Sequence, residues 1–112
     1  MLYNEQKRRG VHMSTKVYSI EELIALIIPI LNKYRAEGAI LFGSYARSDA
    51  TMTSDIDLLV IGGDKFDPTD IFCIADELFE KAGKHVDVYE LREIGEQSGL
   101  YNTIMQEGVR IA

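Results

Sequence analysis

Apolar residues recur at helical spacing from Ile20 to Tyr34, with Ile20, Leu23, Ile24, Ile27, Leu31 and Tyr34 on one face, which predicts an amphipathic helix. Ser19, followed three residues later by Glu22, supplies a capping box at its start. Leu26, Ile28 and Ile30 widen the stripe, predicting burial under neighbouring elements or a surface that docks a partner. Pro29 removes a backbone hydrogen bond, so a bend is expected between Ala25 and Pro29, and Gly38 is expected to end the segment. The spacing then changes. Ala39-Ile40-Leu41-Phe42 is a short apolar run bounded by glycines, read as a buried strand that delivers the chain to a turn at Gly43. Ser44 to Arg47 can open a short helix, Ser48 to Ser54 is a polar loop, and Ile56 to Ile61 is a second strand with Ile56, Leu58 and Val60 on its core face.

The second half repeats the alternation. After a loop at Gly62-Gly63-Asp64-Lys65, Asp67 and Pro68 mark a helix start, and Ile71, Phe72, Ala75, Leu78, Phe79 and Ala82 form an apolar stripe that Gly83 stops. Phe72 and Phe79 are accordingly assigned to the core, and Cys73 to the core or its flank. His85 to Tyr89 reads as a strand with Asp87 on the face opposite Val86 and Val88. A loop containing Gly95 and Gly99, a short helix around Leu100 to Gln106, and an edge strand or docking tail at Val109 to Ile111 complete the chain. This order of helices and strands predicts an α/β (α+β) fold, a small mixed sheet with helices on one face and the acids at the other.

The polar positions add chemistry to that frame. A helix that starts directly after a Gly43-Ser44 turn points backbone N–H groups at whatever lies in front of it, which suits phosphate. Asp55 and Asp57, two residues apart on a strand, project from the same face about 7 Å apart. Carboxylates held that close beside an apolar core call for a cation, and oxygen ligands on a rigid strand suit Mg²⁺ before Zn²⁺. If the Asp87 strand pairs beside the Asp55 strand, at a spacing of about 4.8 Å, Asp87 completes a group of three acids; otherwise it is an ordinary exposed strand residue. Ser44 is read as a helix cap, a phosphate contact or both. Arg47 is read as a phosphate contact or an ion-pair partner of Asp49. His12 and His85 have no ligand spacing to one another or to Cys73, which argues against a zinc site.

Length and composition bound these readings. A chain of 112 residues holds one domain, expected over 16–112 behind a flexible arm at 1–15, and is too short for separate catalytic and substrate-binding domains. Met1 to His12 is polar and aperiodic; Lys7-Arg8-Arg9-Gly10 ahead of Met13 is what a purine-rich ribosome-binding site would encode if translated, which makes Met13 the expected natural start. A net charge of −6 argues against nucleic acid as the main partner. One cysteine rules out an internal disulfide, and the absence of a long apolar run or a signal-peptide pattern gives the expectation of a cytoplasmic protein with no membrane partner.

Gly43-Ser44, ten residues, then Asp55-Ile56-Asp57 resembles the signature of the DNA polymerase beta-like nucleotidyltransferase superfamily. The small chain resembles its minimal nucleotidyltransferase branch, the MNT or MntA-like antitoxins that partner HEPN-domain toxins. The resemblance runs from about Ser19 to the C-terminus. It implies the polymerase-beta-like topology, ATP as substrate, about two Mg²⁺ ions on Asp55, Asp57 and Asp87, and Gly43, Ser44 and Arg47 against the phosphates. It further implies transfer of AMP to a hydroxyl of a partner protein, a HEPN toxin. One position departs from the pattern: Ser48 stands where the family commonly has glycine after the arginine. Two other functions fit the same residues. One is a small-molecule nucleotidyltransferase of the aminoglycoside-modifying kind, for which a homo-oligomer would have to build the acceptor pocket. The other is an antitoxin that binds nucleotide and neutralises its partner stoichiometrically without chemistry.

Overall fold

The computed structural model describes residues 13–95 and 98–112; His12 and the rest of Met1 to His12 lie outside them. Helix α1 (Ile20–Lys33) starts at the expected capping box: the Ser19 hydroxyl accepts from Glu22 N–H at 3.1 Å and the Glu22 carboxylate accepts from Ser19 N–H at 2.9 Å. It runs through Pro29 without a break; Ala25, whose carbonyl loses its partner there, is exposed, as is Pro29. Leu23, Ile27, Ile30 and Leu31 are buried, and Leu26 and Ile28 pack partly against the same core, so the broad stripe is covered from within the chain. The helix ends at Lys33 rather than at Gly38. Arg35 turns the backbone in the left-handed region (φ 63°), and Gly38 is already the first residue of strand β1 (Gly38–Phe42).

Four strands form one mixed sheet in the order β3-β2-β1-β4. Strand β1 is antiparallel to β2 (Ile56–Ile61), placing Phe42 opposite Asp57, and β2 is parallel to β3 (Val86–Glu90), placing Asp57 opposite Asp87. The parallel pair needs a crossover, which α3 (Ile71–Ala82) supplies behind a 3₁₀ turn at Pro68–Asp70 that Asp67 caps. At the far edge, the expected closing strand is β4 (Val109–Arg110), antiparallel to β1. Both α1 and α3 cover one face, where Ile56, Leu58 and Val60 are fully buried with Leu23, Ile27, Ile74 and Leu78. Truncating Leu58 to Ala in such a core costs about 2–5 kcal/mol. The opposite face carries the acids and a smaller apolar cluster, in which Phe42, Leu59 and Ile104 bury the end of β1 and the middle of β2 under α4 (Gly99–Glu107).

One side chain departs from the sequence expectation. Phe72 is 71% exposed, because Ile71, Ile74, Leu78 and Ala82 set the buried phase of α3 and Phe72 lies outside it. Cys73 sits on the exposed flank. Lys84, by contrast, is buried, its ammonium satisfied by the carbonyls of Ser14 (2.8 Å) and Met52 (2.6 Å). Together with the Ser14 N–H bond to Gly83 (2.9 Å), it ties residues 13–15 and the loop before Asp55 to the end of α3. No helix among the described residues is long and apolar enough to cross a membrane.

Candidate active site

The turn after β1 brings the candidate groups together. Gly43 takes φ 73°, a region that favours glycine, and a Cβ there would stand 2.2 Å from Asp57 Oδ2. Backbone and carboxylate therefore meet at a distance that glycine permits and no other residue does. Helix α2 (Ser44–Arg47) follows, pinned by the buried ring of Tyr45, which leaves Ser44 and Arg47, three apart, together on another side. Gly43 is the cap and Ser44 the first helical residue, so the capping role read for Ser44 is not the one it has. Ser48 closes the helix at φ 65° and ψ 28°, holding in serine the left-handed geometry that a glycine would adopt without strain.

Arg47 pairs with Asp49 as the sequence suggested, Nε to Oδ2 at 3.2 Å, and also with a residue it did not: Glu107 at the end of α4 accepts from Arg47 Nη1 at 3.1 Å and from Gly43 N–H at 3.2 Å. The two donors of the turn thus converge on one carboxylate. A contact across so many intervening residues leaves no mark in local spacing.

Across β2, the loop before Asp55 is locked by Ser54, whose hydroxyl accepts from Thr51 N–H at 2.8 Å and whose N–H donates to the Thr51 carbonyl at 3.1 Å. Asp55 lies just before the strand and is exposed; Asp57 is inside it and half-buried. Asp87 is Asp57's direct partner on β3. Burial first, then the charges of Asp87 and Asp55, push the Asp57 carboxyl up from 3.8 to about 6. His85 joins this group: its Nε2 lies 3.1 Å from Asp87 Oδ1, and one ligand atom each from Asp55, His85 and Asp87 lie within 4.8 Å of one another. Spacing to His12 and Cys73 gives no sign of His85's role; its place two residues before Asp87 on one strand is the signal that finds it.

A hard divalent cation fits these residues. Carboxylate oxygens converge from β2 and β3, burial and then their mutual repulsion raise the Asp57 carboxyl, and the missing Cβ of Gly43 lets the Asp57 carboxylate come up against the turn.

Residues 26–112 match the family described as Polymerase beta, Nucleotidyltransferase. A Methanocaldococcus jannaschii protein described as a candidate protein adenylyltransferase is 43% identical over 76 residues, covering 68% of this chain and 82% of that protein. Among solved structures, a toxin–antitoxin complex with AMP-PNP aligns with a TM-score of 0.69 at 25% identity, over 80% of this chain and 72% of that one. The MNT antitoxin in a complex with a tri-AMPylated Shewanella oneidensis HEPN toxin shares the fold, with a TM-score of 0.61 at 24% identity over 80% of this chain and 68% of that one. With the family match running through the Gly43 turn and every acid of the site, the chain belongs to the polymerase beta family of nucleotidyltransferases.

Proposed function

We propose that this protein transfers AMP from ATP to a hydroxyl of a partner protein, a HEPN-domain toxin encoded beside it, and thereby silences that toxin in the cytoplasm. The observation that carries this reading is Asp57, set against the Gly43 turn, paired across the sheet with Asp87 and close enough to Asp55 to feel its charge. The M. jannaschii relative, described as acting on protein, and the AMP-PNP in the structural neighbour support the choice of substrate.

In this reading Gly43 N–H, Ser44 and Arg47 bind the β- and γ-phosphates of ATP. Asp55 and Asp57 would hold Mg²⁺, with Asp87 beside them on the acceptor side; two ions are expected. Bound Mg²⁺ supplies charge neutralisation on the phosphate oxygens. The acceptor oxygen attacks the α-phosphorus in line, the bond to the β-phosphate oxygen breaks, and pyrophosphate leaves. Asp87 takes the acceptor's proton. The raised Asp57 carboxyl ionises fully once a cation binds.

Intact-mass measurement of the toxin after incubation with ATP, Mg²⁺ and this protein tests the proposal. An AMP adduct on a hydroxyl residue, absent with Asp57→Ala, is expected. Protection of cells by Asp57→Ala as complete as that given by wild type would instead identify an antitoxin that acts by binding alone.

A further inference from the structure

One oxygen of Asp57, Oδ2, lies against Gly43, while Asp55 and Asp87 each bring a ligand atom close to His85. His85 Nε2 and Asp87 Oδ1 are 3.1 Å apart, close to the roughly 3 Å edge between adjacent ligands around an ion with bonds of about 2.1 Å. Asp55 completes a triangle whose longest side, 4.8 Å at most, is near the roughly 4.2 Å span between opposite ligands of such an ion. A shift of about half an ångström at the exposed Asp55 and His85 side chains closes the difference.

We propose that His85 is a metal ligand of this site: its Nε2 and one oxygen each from Asp55 and Asp87 seat a divalent cation in a mixed nitrogen–oxygen position on the β3 side. The proposal rests on the reading of these acids as a cation site and goes beyond it in adding an imidazole to its ligands. Its chemical consequence is selectivity. A carboxylate-only site suits Mg²⁺, and an imidazole shifts preference toward first-row transition ions. His85 anchors readily in this role, because its backbone carbonyl accepts from Ile56 N–H at 2.9 Å and so fixes it next to the residue that follows Asp55. Its side chain is 48% exposed, so replacing it leaves the core untouched.

The test uses the full chain and the metal alone. Mn²⁺ is titrated in calorimetry against Mg²⁺, and the Mn²⁺-loaded protein is examined by electron spin-echo envelope modulation for coupling to a ¹⁴N nucleus. The expected result is an imidazole ¹⁴N signal in wild type that disappears in His85→Ala, together with a fall of about tenfold in the ratio of Mn²⁺ to Mg²⁺ affinity. Mn²⁺ binding with no ¹⁴N coupling, or an unchanged ratio in His85→Ala, overturns the assignment and leaves His85 as a hydrogen-bond partner of Asp87. If neither ion binds wild type, the cation-site reading itself fails, which is a distinguishable result.

Discussion

The two sides of β2 are balanced in opposite ways. Toward β1, charges are paired within the chain: Arg47 is held by Asp49 and Glu107, and Glu107 also accepts from the N–H of Gly43. Toward β3, Asp55, Asp57 and Asp87 face one another and His85, and among the described residues no lysine or arginine forms an ion pair with any of the three. One side therefore holds a carboxylate where an anionic ligand would compete for the same donors. The other holds a cluster of negative charge that Arg47 offsets only in part. Acids placed together with no lysine or arginine bound to them cost the fold stability, as functional sites commonly do.

The sharpest way to break this arrangement is at the point where the two sides touch. Gly43→Ala drives a methyl group to within 2.2 Å of Asp57 Oδ2 and imposes φ 73° on a residue with a side chain. Misplacing either partner by about 1 Å is expected to cost about 100-fold in transfer rate, measured as AMP incorporation under single-turnover conditions. Wild-type rates in this variant would show that the contact is incidental.

On the turn side, Glu107→Ala removes the internal competitor for Gly43 N–H and Arg47. With that competitor gone, AMP-PNP should bind about fivefold tighter or less in the presence of Mg²⁺, with the gain shrinking as salt rises. Weaker binding in calorimetry would mean that Glu107 supports the turn instead of competing at it.

The β3 side should declare itself through pH. Because the Asp57 carboxyl is raised from 3.8 to about 6, the metal-free folded protein binds more protons than the unfolded chain in that interval, and stability falls as pH rises through it. Allowing for solvent screening, the loss is about 1 kcal/mol, or about 4 °C in Tm. Mg²⁺ should restore it at pH 7 and do little at pH 4. Thermal unfolding in EDTA and in Mg²⁺ measures both, and identical profiles would contradict the account.

Much of this was legible in the sequence, and the exceptions have physical reasons. Gly43-Ser44, Asp55 and Asp57 stood out because a glycine turn and acids of period two are local patterns, and the pairing of β2 with β3 placed Asp87 where strand alternation predicted it. The capping box at Ser19 and the left-handed stop at Gly83 were likewise local. Glu107 was not legible, since its contact with Arg47 depends on how α4 packs across β1. Phe72 was misassigned because a stripe of six apolar residues fits more than one helical phase, and tertiary packing chose the one that exposes it. Lys84 gave no sign of burial, because the carbonyls that satisfy it belong to distant loops.

The smallest expected effect lies at the departure from the family pattern. Ser48→Gly relieves a side chain held at φ 65° and should stabilise the fold by about 0.5–1 kcal/mol, read as a higher Tm with transfer unchanged. A lower Tm would show that the serine hydroxyl contributes more than its backbone strain costs.

The claim on which the rest depends is that acids from β2 and β3 seat a divalent cation which holds nucleotide against the Gly43 turn. Calorimetric titration of AMP-PNP into the full chain, with Mg²⁺ and with EDTA, tests it most directly. The account predicts saturable uptake that requires Mg²⁺ and disappears in Asp57→Asn; uptake of equal strength in EDTA, or in that variant, would contradict it.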